Sequence, residues 1–251
     1  MSAKENQRRI LGLLWDDPAT GPSGTRGPGR GLTREQIVTA AIEVAEAEGL
    51  PAVSMRRVAA ELGVGTASLY TYLRGKAELE ALMLDAVALG DTLPHEWPGD
   101  WRAKLEAWAM DDWAAIRRHP WTLRLHGADR LPGPNQLRWL DSMLRVFEDT
   151  GLTEPEKLAA VEALDAYSRG LGLLLAEVEA PADAEPYDVA GRNEGLRELV
   201  DFSRYPALLA AIRAGASPYA GDPFPFGLHR LLDGIEALIA RRTAERGDRA
   251  E

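Results

Sequence analysis

The sequence predicts an all-α protein of two unequal parts, a small basic bundle followed by a larger acidic one. Three observations predict it. From Thr33 onward, apolar residues recur at helical spacing, and no run alternates with period two. The charge is uneven: residues 1–76 carry a net +2, within a chain whose total is −10. Apolar residues make up 45% and charged residues 27% of the 251, which excludes a wholly disordered or collagen-like chain and leaves enough apolar surface for a sizeable core.

Residues 1–31 are expected to be a flexible arm. Within it, 16–31 (DDPATGPSGTRGPGRG) is Gly/Pro-rich and cannot bury enough surface to fold alone. Arg26 and Arg30 could reach a minor groove, but a solvated tail accounts for them more simply. The stretch 8–15 (RRILGLLW) is amphipathic, too short for a signal peptide, and followed at once by Asp16 and Asp17. The longest apolar run, around 170–178, falls well short of the roughly 20 residues a membrane span needs. With no cysteine there are no disulfides, thiolate metal sites or cysteine nucleophiles, and a reducing cytoplasm is the expected compartment.

The helix-turn-helix domain is expected over 32–78. Its first helix spans 33–48, with Ile37, Ala40, Ala41, Val44 and Ala45 on one face. Thr33 and Gln36 form a capping box, and Gly49 stops the helix. The second follows the N-cap Ser54 and turns Val58, Ala59 and Leu62 inward, until Gly63 breaks it. The third, 66–73, points Leu69 and Leu73 into the core, and a fourth begins near Lys76.

Residues 54–73 (SMRRVAAELGVGTASLYTYL) carry the strongest signal. Two short helices meet at a tight turn over 62–65, and the second exposes polar and aromatic side chains. A helix entering the major groove needs one apolar face for its own domain and one hydrogen-bonding face for DNA. The second face holds Thr66, Ala67, Ser68, Tyr70, Thr71 and Tyr72. Arg56 and Lys76 are placed to hold phosphates. A plain three-helix bundle is the competing reading, but turn, spacing and charge agree against it.

Residues 37–50 (IVTAAIEVAEAEGL), 54–62 (SMRRVAAEL), 63–73 (GVGTASLYTYL) and 76–84 together resemble the N-terminal domain of TetR-type transcriptional regulators. Residues 224–242 (FPFGLHRLLDGIEALIARR) more weakly resemble the last helix of the tetracycline-repressor subgroup. The resemblance implies a homodimer that binds double-stranded operator DNA at an inverted repeat and takes a small-molecule effector in its larger domain. It also implies roles for Ser54 and Arg56 at the start of the second helix, for the recognition face at Thr66, Ala67, Tyr70, Thr71 and Tyr72, and for Lys76 on a phosphate. Thr71 stands where several relatives carry a bulky or basic side chain, so the preferred DNA sequence stays unassigned.

The larger part, 79–245, is expected to hold helices over 101–119, 135–150, 154–179, 205–214 and 224–242, with an extra turn at 121–125 and loops at 180–195 and 214–225. Thr153 and Glu156 form a second capping box, with Pro155 in the first turn. Leu164, Ser168, Leu171 and Leu175 on one helix, and Leu228, Leu231, Ile235 and Leu238 on another, form stripes suited to a four-helix dimer seam. The same stripes would serve equally as one chain's core, but a two-half-site operator favours the dimer.

Trp101, Leu105 and Trp108 share a helical face and, with Leu123, Leu137, Trp139, Leu140, Leu144, Phe147 and Tyr167, could line an apolar pocket. His119, His126, Asn135 and Arg138 are candidate polar groups, and the expected effector contacts are Trp108, His126, Trp139, Leu140 and Tyr167. No cofactor, metal or catalytic residue is expected. There is no phosphate-binding glycine loop or Gly-x-Ser-x-Gly elbow, the histidines lack ligand spacing, and adjacent Asp111 and Asp112 point apart as surface charge. The alternatives are an enzyme, or an effector-binding helical protein whose helix-turn-helix reads no sequence. A general architectural DNA protein fits poorly with the net acidity.

Overall fold

Local capping chemistry sets the helix boundaries. The computed structural model describes residues 3–15, 32–90, 92–125, 131–178, 195–196, 198–216 and 222–250. Among them are α1 (Ala3–Trp15), α2 (Arg34–Glu48), α3 (Met55–Glu61), α4 (Thr66–Tyr70), α5 (Lys76–Ala86), α6 (Trp101–Arg118), α7 (Trp121–Leu125), α8 (Pro134–Arg145), α9 (Glu154–Val178), α10 (Pro206–Arg213) and α11 (Phe224–Ala250), with no strand among the described residues. The capping box at Thr33 forms: its hydroxyl accepts from the Gln36 N–H at 3.2 Å, and the Gln36 side chain accepts from the Thr33 N–H at 2.9 Å. Glu156 instead takes both the N–H and the hydroxyl of Thr153, each at 2.9 Å, so that box is one-sided. The same carboxyl is gripped by Arg242 of α11, which holds it down at about 2.

The N-terminal core is built from Ile37, Ala41, Val44, Val58, Leu69, Leu73, Leu79 and Met83, all buried. Trp121 and Leu125 of α7 complete it, so the larger part reaches into the smaller one. Leu79, Met83 and Leu84 of α5 belong to this core, and the boundary expected at 78 therefore falls inside a helix. A continuous helix cannot be shared out at a sequence position, because its buried face decides its domain.

The expected flexible arm over 1–31 also changes. Ala3–Trp15 is a helix packed on α5, with Leu14 buried. Arg9 pairs with Glu78, Arg34 donates to the Leu13 carbonyl, and the Trp15 indole donates to the Pro132 carbonyl. The linker, with Arg26 and Arg30, lies outside the described residues.

The second core joins α6, α8, α9 and α11 through Leu105, Met143, Phe147, Leu164, Phe224, Leu228 and Leu232. Phe224, fully buried, stacks on Trp113 at 4.5 Å and on Tyr167 at 5.5 Å. Arg102 of α6 pins α11 through Asp233 at 2.6 Å and Glu236 at 3.1 Å. No described helix is long and apolar enough to cross a membrane.

Candidate nucleic-acid interface and effector cavity

The turn between α3 and α4 follows from one glycine. Gly63 has φ 66°, the left-handed region where a side chain is strained. Its N–H bonds the Ala60 carbonyl at 3.1 Å, and the Val64 N–H bonds the Ala59 carbonyl at 3.0 Å. This pair of bonds is the Schellman closure of a helix end, and it turns the chain sharply into α4. Ser54 caps α3 by accepting from the Arg57 N–H at 3.2 Å. Its role here is to start the helix that supports α4.

Leu69 and Leu73 are buried, which turns the opposite face of α4 outward. Ala67, Ser68, Tyr70 and Thr71 are exposed, Tyr70 to 52%, and Thr66 and Tyr72 are half-buried. Tyr72 leans on the core. The Thr71 hydroxyl donates to the Ser68 carbonyl at 2.6 Å, which leaves it an acceptor and a methyl group to present outward. Arg56 is exposed. Lys76 donates to the Leu50 carbonyl at 3.2 Å and lies 3.8 Å from the Glu80 carboxylate, which fixes the place of its ammonium group. Arg57 is committed elsewhere, to Glu48 and Glu61 at 2.7 Å each.

A cavity of about 400 Å³ lies where the end of α5 meets α6, α8 and α9. Trp108, Trp139 and Leu140 line it as expected, with Leu137 and His119. The indoles of Trp108 and Trp139 pack against each other at 5.6 Å, tilted by 44°. His126 lies outside the described residues. Tyr167 is not on the wall. Its hydroxyl donates to the Pro223 and Phe224 carbonyls at 3.0 and 3.1 Å, and its ring packs on Phe224, so it locks α9 to α11. Asn135 is also elsewhere, donating to the Asp85 carbonyl at 3.2 Å.

Among the wall residues that sequence reasoning missed are Asp112, Asp165 and Arg169. Asp112 is not surface charge, whereas its neighbour Asp111 is exposed. The signal was present, because Asp112 stands four residues after Trp108 and so shares its face. Burial pushes the Asp112 carboxyl up to about 6; the Arg169 charge and Ser168 hydroxyl oppose this, while Asp165 and Asp111 add to it.

Of the expected dimer residues, Leu164, Ser168, Leu228 and Ile235 are buried in the chain's own core, which removes them from any outer face. Leu171, Leu175, Leu231 and Leu238 are partly buried against that core. The exposed apolar residues of α9 and α11 are their neighbours Leu158, Leu173, Leu174 and Phe226. Helical periodicity gives a stripe's direction but not which of two adjacent stripes meets the chain's own core. Gly170 and Gly234 face open space, whereas Gly227 sits under the Tyr167 hydroxyl, 2.2 Å from where a Cβ would lie. Gly227→Ala is therefore expected to break both Tyr167 hydrogen bonds and cost about 1–3 kcal/mol. Chemical denaturation reads this, and an unchanged midpoint would show that the ring moves aside freely.

Residues 37–81 match the model for bacterial regulatory proteins of the tetR family, and 93–239 match the tetracyclin repressor-like C-terminal domain. The HTH-type transcriptional repressor DrrR1 of Streptomyces coeruleorubidus is 41% identical over 244 residues, covering 94% of this chain and 88% of that protein. The class C tetracycline repressor of Escherichia coli is 28% identical, covering 82% of this chain and 92% of that one. Apo ActR from Streptomyces coelicolor superposes with a TM-score of 0.71 at 25% identity, covering 86% of this chain and 99% of that one. ActR in complex with actinorhodin gives 0.70 at the same identity, covering 83% of this chain and 97% of that one.

Proposed function

Because the chain belongs to the TetR family of transcriptional regulators, we propose that it is a homodimeric repressor that leaves an inverted-repeat operator when a small aromatic effector fills the cavity. The carrying observation is that one helix serves both sites. Lys76 begins α5 beside the DNA-facing helices, and Leu84, Val87, Ala88 and Leu89 at and beyond its end line the cavity. The Asp85 carboxylate accepts from the Gln136 N–H of α8 at 3.1 Å, tying the same end of α5 to another wall. A ligand that favours a shifted α5 favours misplaced recognition helices, and each 1.4 kcal/mol of that preference is about tenfold in DNA affinity.

Tyr70 and Thr66 read bases and Lys76 holds a phosphate. The partner copy covers Leu173, Leu174 and Phe226, and two half-sites lie about 34 Å apart, one helical turn. No set of described His, Asp and Glu residues is placed to hold a metal ion, and the proposed mechanism calls for none. The proposed setting is the cytoplasm.

Selection of bound DNA from a random pool at near-physiological salt tests the reading. An enriched inverted repeat is expected, and no enrichment by the folded protein would sink it. Tyr70→Ala is expected to weaken that operator by about tenfold or more. Lys76→Ala is expected to weaken all sequences alike and, with one such lysine on each half-site, to flatten the salt dependence by about two units. A Lys76→Ala loss confined to one sequence would contradict the phosphate role.

A further inference from the structure

We propose that the cavity selects a cationic aromatic amine, a charged N–H group of which is received by Asp112. The proposal rests on reading the cavity as the effector site, and it names the effector's chemistry. Much of the cavity wall is apolar and aromatic, including Trp108, Ile116, Trp139 and Leu140. Into that setting α6 projects a carboxylate whose Oδ2 is buried and has no hydrogen-bond partner. The Ser168 hydroxyl also completes no hydrogen bond, although it is near enough to favour the charged carboxylate.

A buried carboxylate oxygen without a hydrogen bond is costly and calls for an explanation, and a ligand group in the cavity that Asp112 borders supplies one. The surrounding charge fixes the sign of that partner. The acidic groups are Asp111 and Asp112 on α6 and Asp165 on α9. The one cationic side chain among the wall residues, Arg169, bonds Asp165 through Nε at 2.7 Å. His119, just after α6, pairs with Glu46 of α2 at 2.8 Å, and the α8 wall residues Gln136, Leu137, Trp139 and Leu140 are neutral. The balance around Asp112 is negative, so a cation is drawn in and an anion repelled. Trp108 and Trp139, tilted by 44° to each other on the cavity wall, add aromatic surface that suits a cation.

The test uses the full-length protein without DNA and reads quenching of tryptophan fluorescence. The probes are 9-aminoacridine as the cation, acridone as a neutral ring of similar size, and acridine-9-carboxylate as the anion. At pH 8 the amine is expected to bind about tenfold or more tighter than acridone, the step supplied by one charge-assisted hydrogen bond. The anion is expected to bind weakest. Asp112→Asn should bring the amine down to the level of acridone and leave acridone unchanged. Asp149→Asn, which removes an exposed acid away from the cavity, should keep the preference.

A measurement on the unaltered chain makes the test independent of the variants. As pH falls from 8 to 5 the carboxyl takes up its proton, and the amine's advantage should fade. Equal binding of amine and acridone at pH 8, or a preference that survives Asp112→Asn, would overturn the assignment while leaving the cavity as an effector site. Quenching by none of the three probes would overturn the aromatic-effector reading, and this assignment with it.

Discussion

Phe224→Ala is expected to cost about 3–5 kcal/mol of stability, the range for deleting a fully buried aromatic ring. The ring is completely buried between Trp113 and Tyr167, where α6, α9 and α11 meet. Its removal leaves two facing aromatics without their shared neighbour. Such a void lined by large rigid rings collapses poorly, which places the cost toward the upper end of the range. The measurement is the denaturant midpoint of the purified variant. A loss below about 1 kcal/mol would show that the joint is held instead by the polar links of Arg102 and Tyr167.

Asp112→Asn is expected to stabilise the free protein above pH 6. The carboxyl lies near 6, above its ordinary 3.8, so the folded state favours the protonated form. Stability from a raised group is fully present below the unfolded value and is lost as pH rises through the folded one. The asparagine stays neutral throughout. Its advantage should therefore be small below about pH 4, grow between 4 and 6, and level off at up to about 3 kcal/mol, the equivalent of some two pK units. Thermal melts at pH 4, 6 and 8 check the sign. A stabilisation independent of pH would mean that packing, rather than charge, separates the two side chains. A more stable variant that has lost its preference for the amine would show stability given up for binding, a pattern expected at functional sites.

The helix-turn-helix was legible because its signals are local. Gly63 can take φ 66° where other residues resist it, Ser54 and Thr33 cap the helices next to them, and Leu69 and Leu73 lie one turn apart. Each depends on residues within a few positions, so reading along the chain recovers them. The helix α4 ends at Tyr70 rather than Leu73, yet the face it shows is unchanged. The cavity was legible in part: Trp108 came from its helical spacing, and Trp139 and Leu140 from the concentration of large apolar residues in the middle of the chain. Tyr167 was misplaced because two backbone carbonyls of another helix capture its hydroxyl.

By itself the sequence determined the all-α class, the helix order, the turn, and the outward face of α4, since all of these are set by neighbours in the chain. Only the tertiary structure decided that α5 belongs to the smaller core, that Ala3–Trp15 docks on it, and that Leu164 and Leu228 face inward. It also decided that Asp112 borders a cavity. The reason is physical. A helical stripe has a direction but no label, and an aspartate has the same intrinsic chemistry wherever it stands. Which stripe is covered, and which carboxyl is stripped of water, depends on helices remote in sequence, and packing alone brings those together.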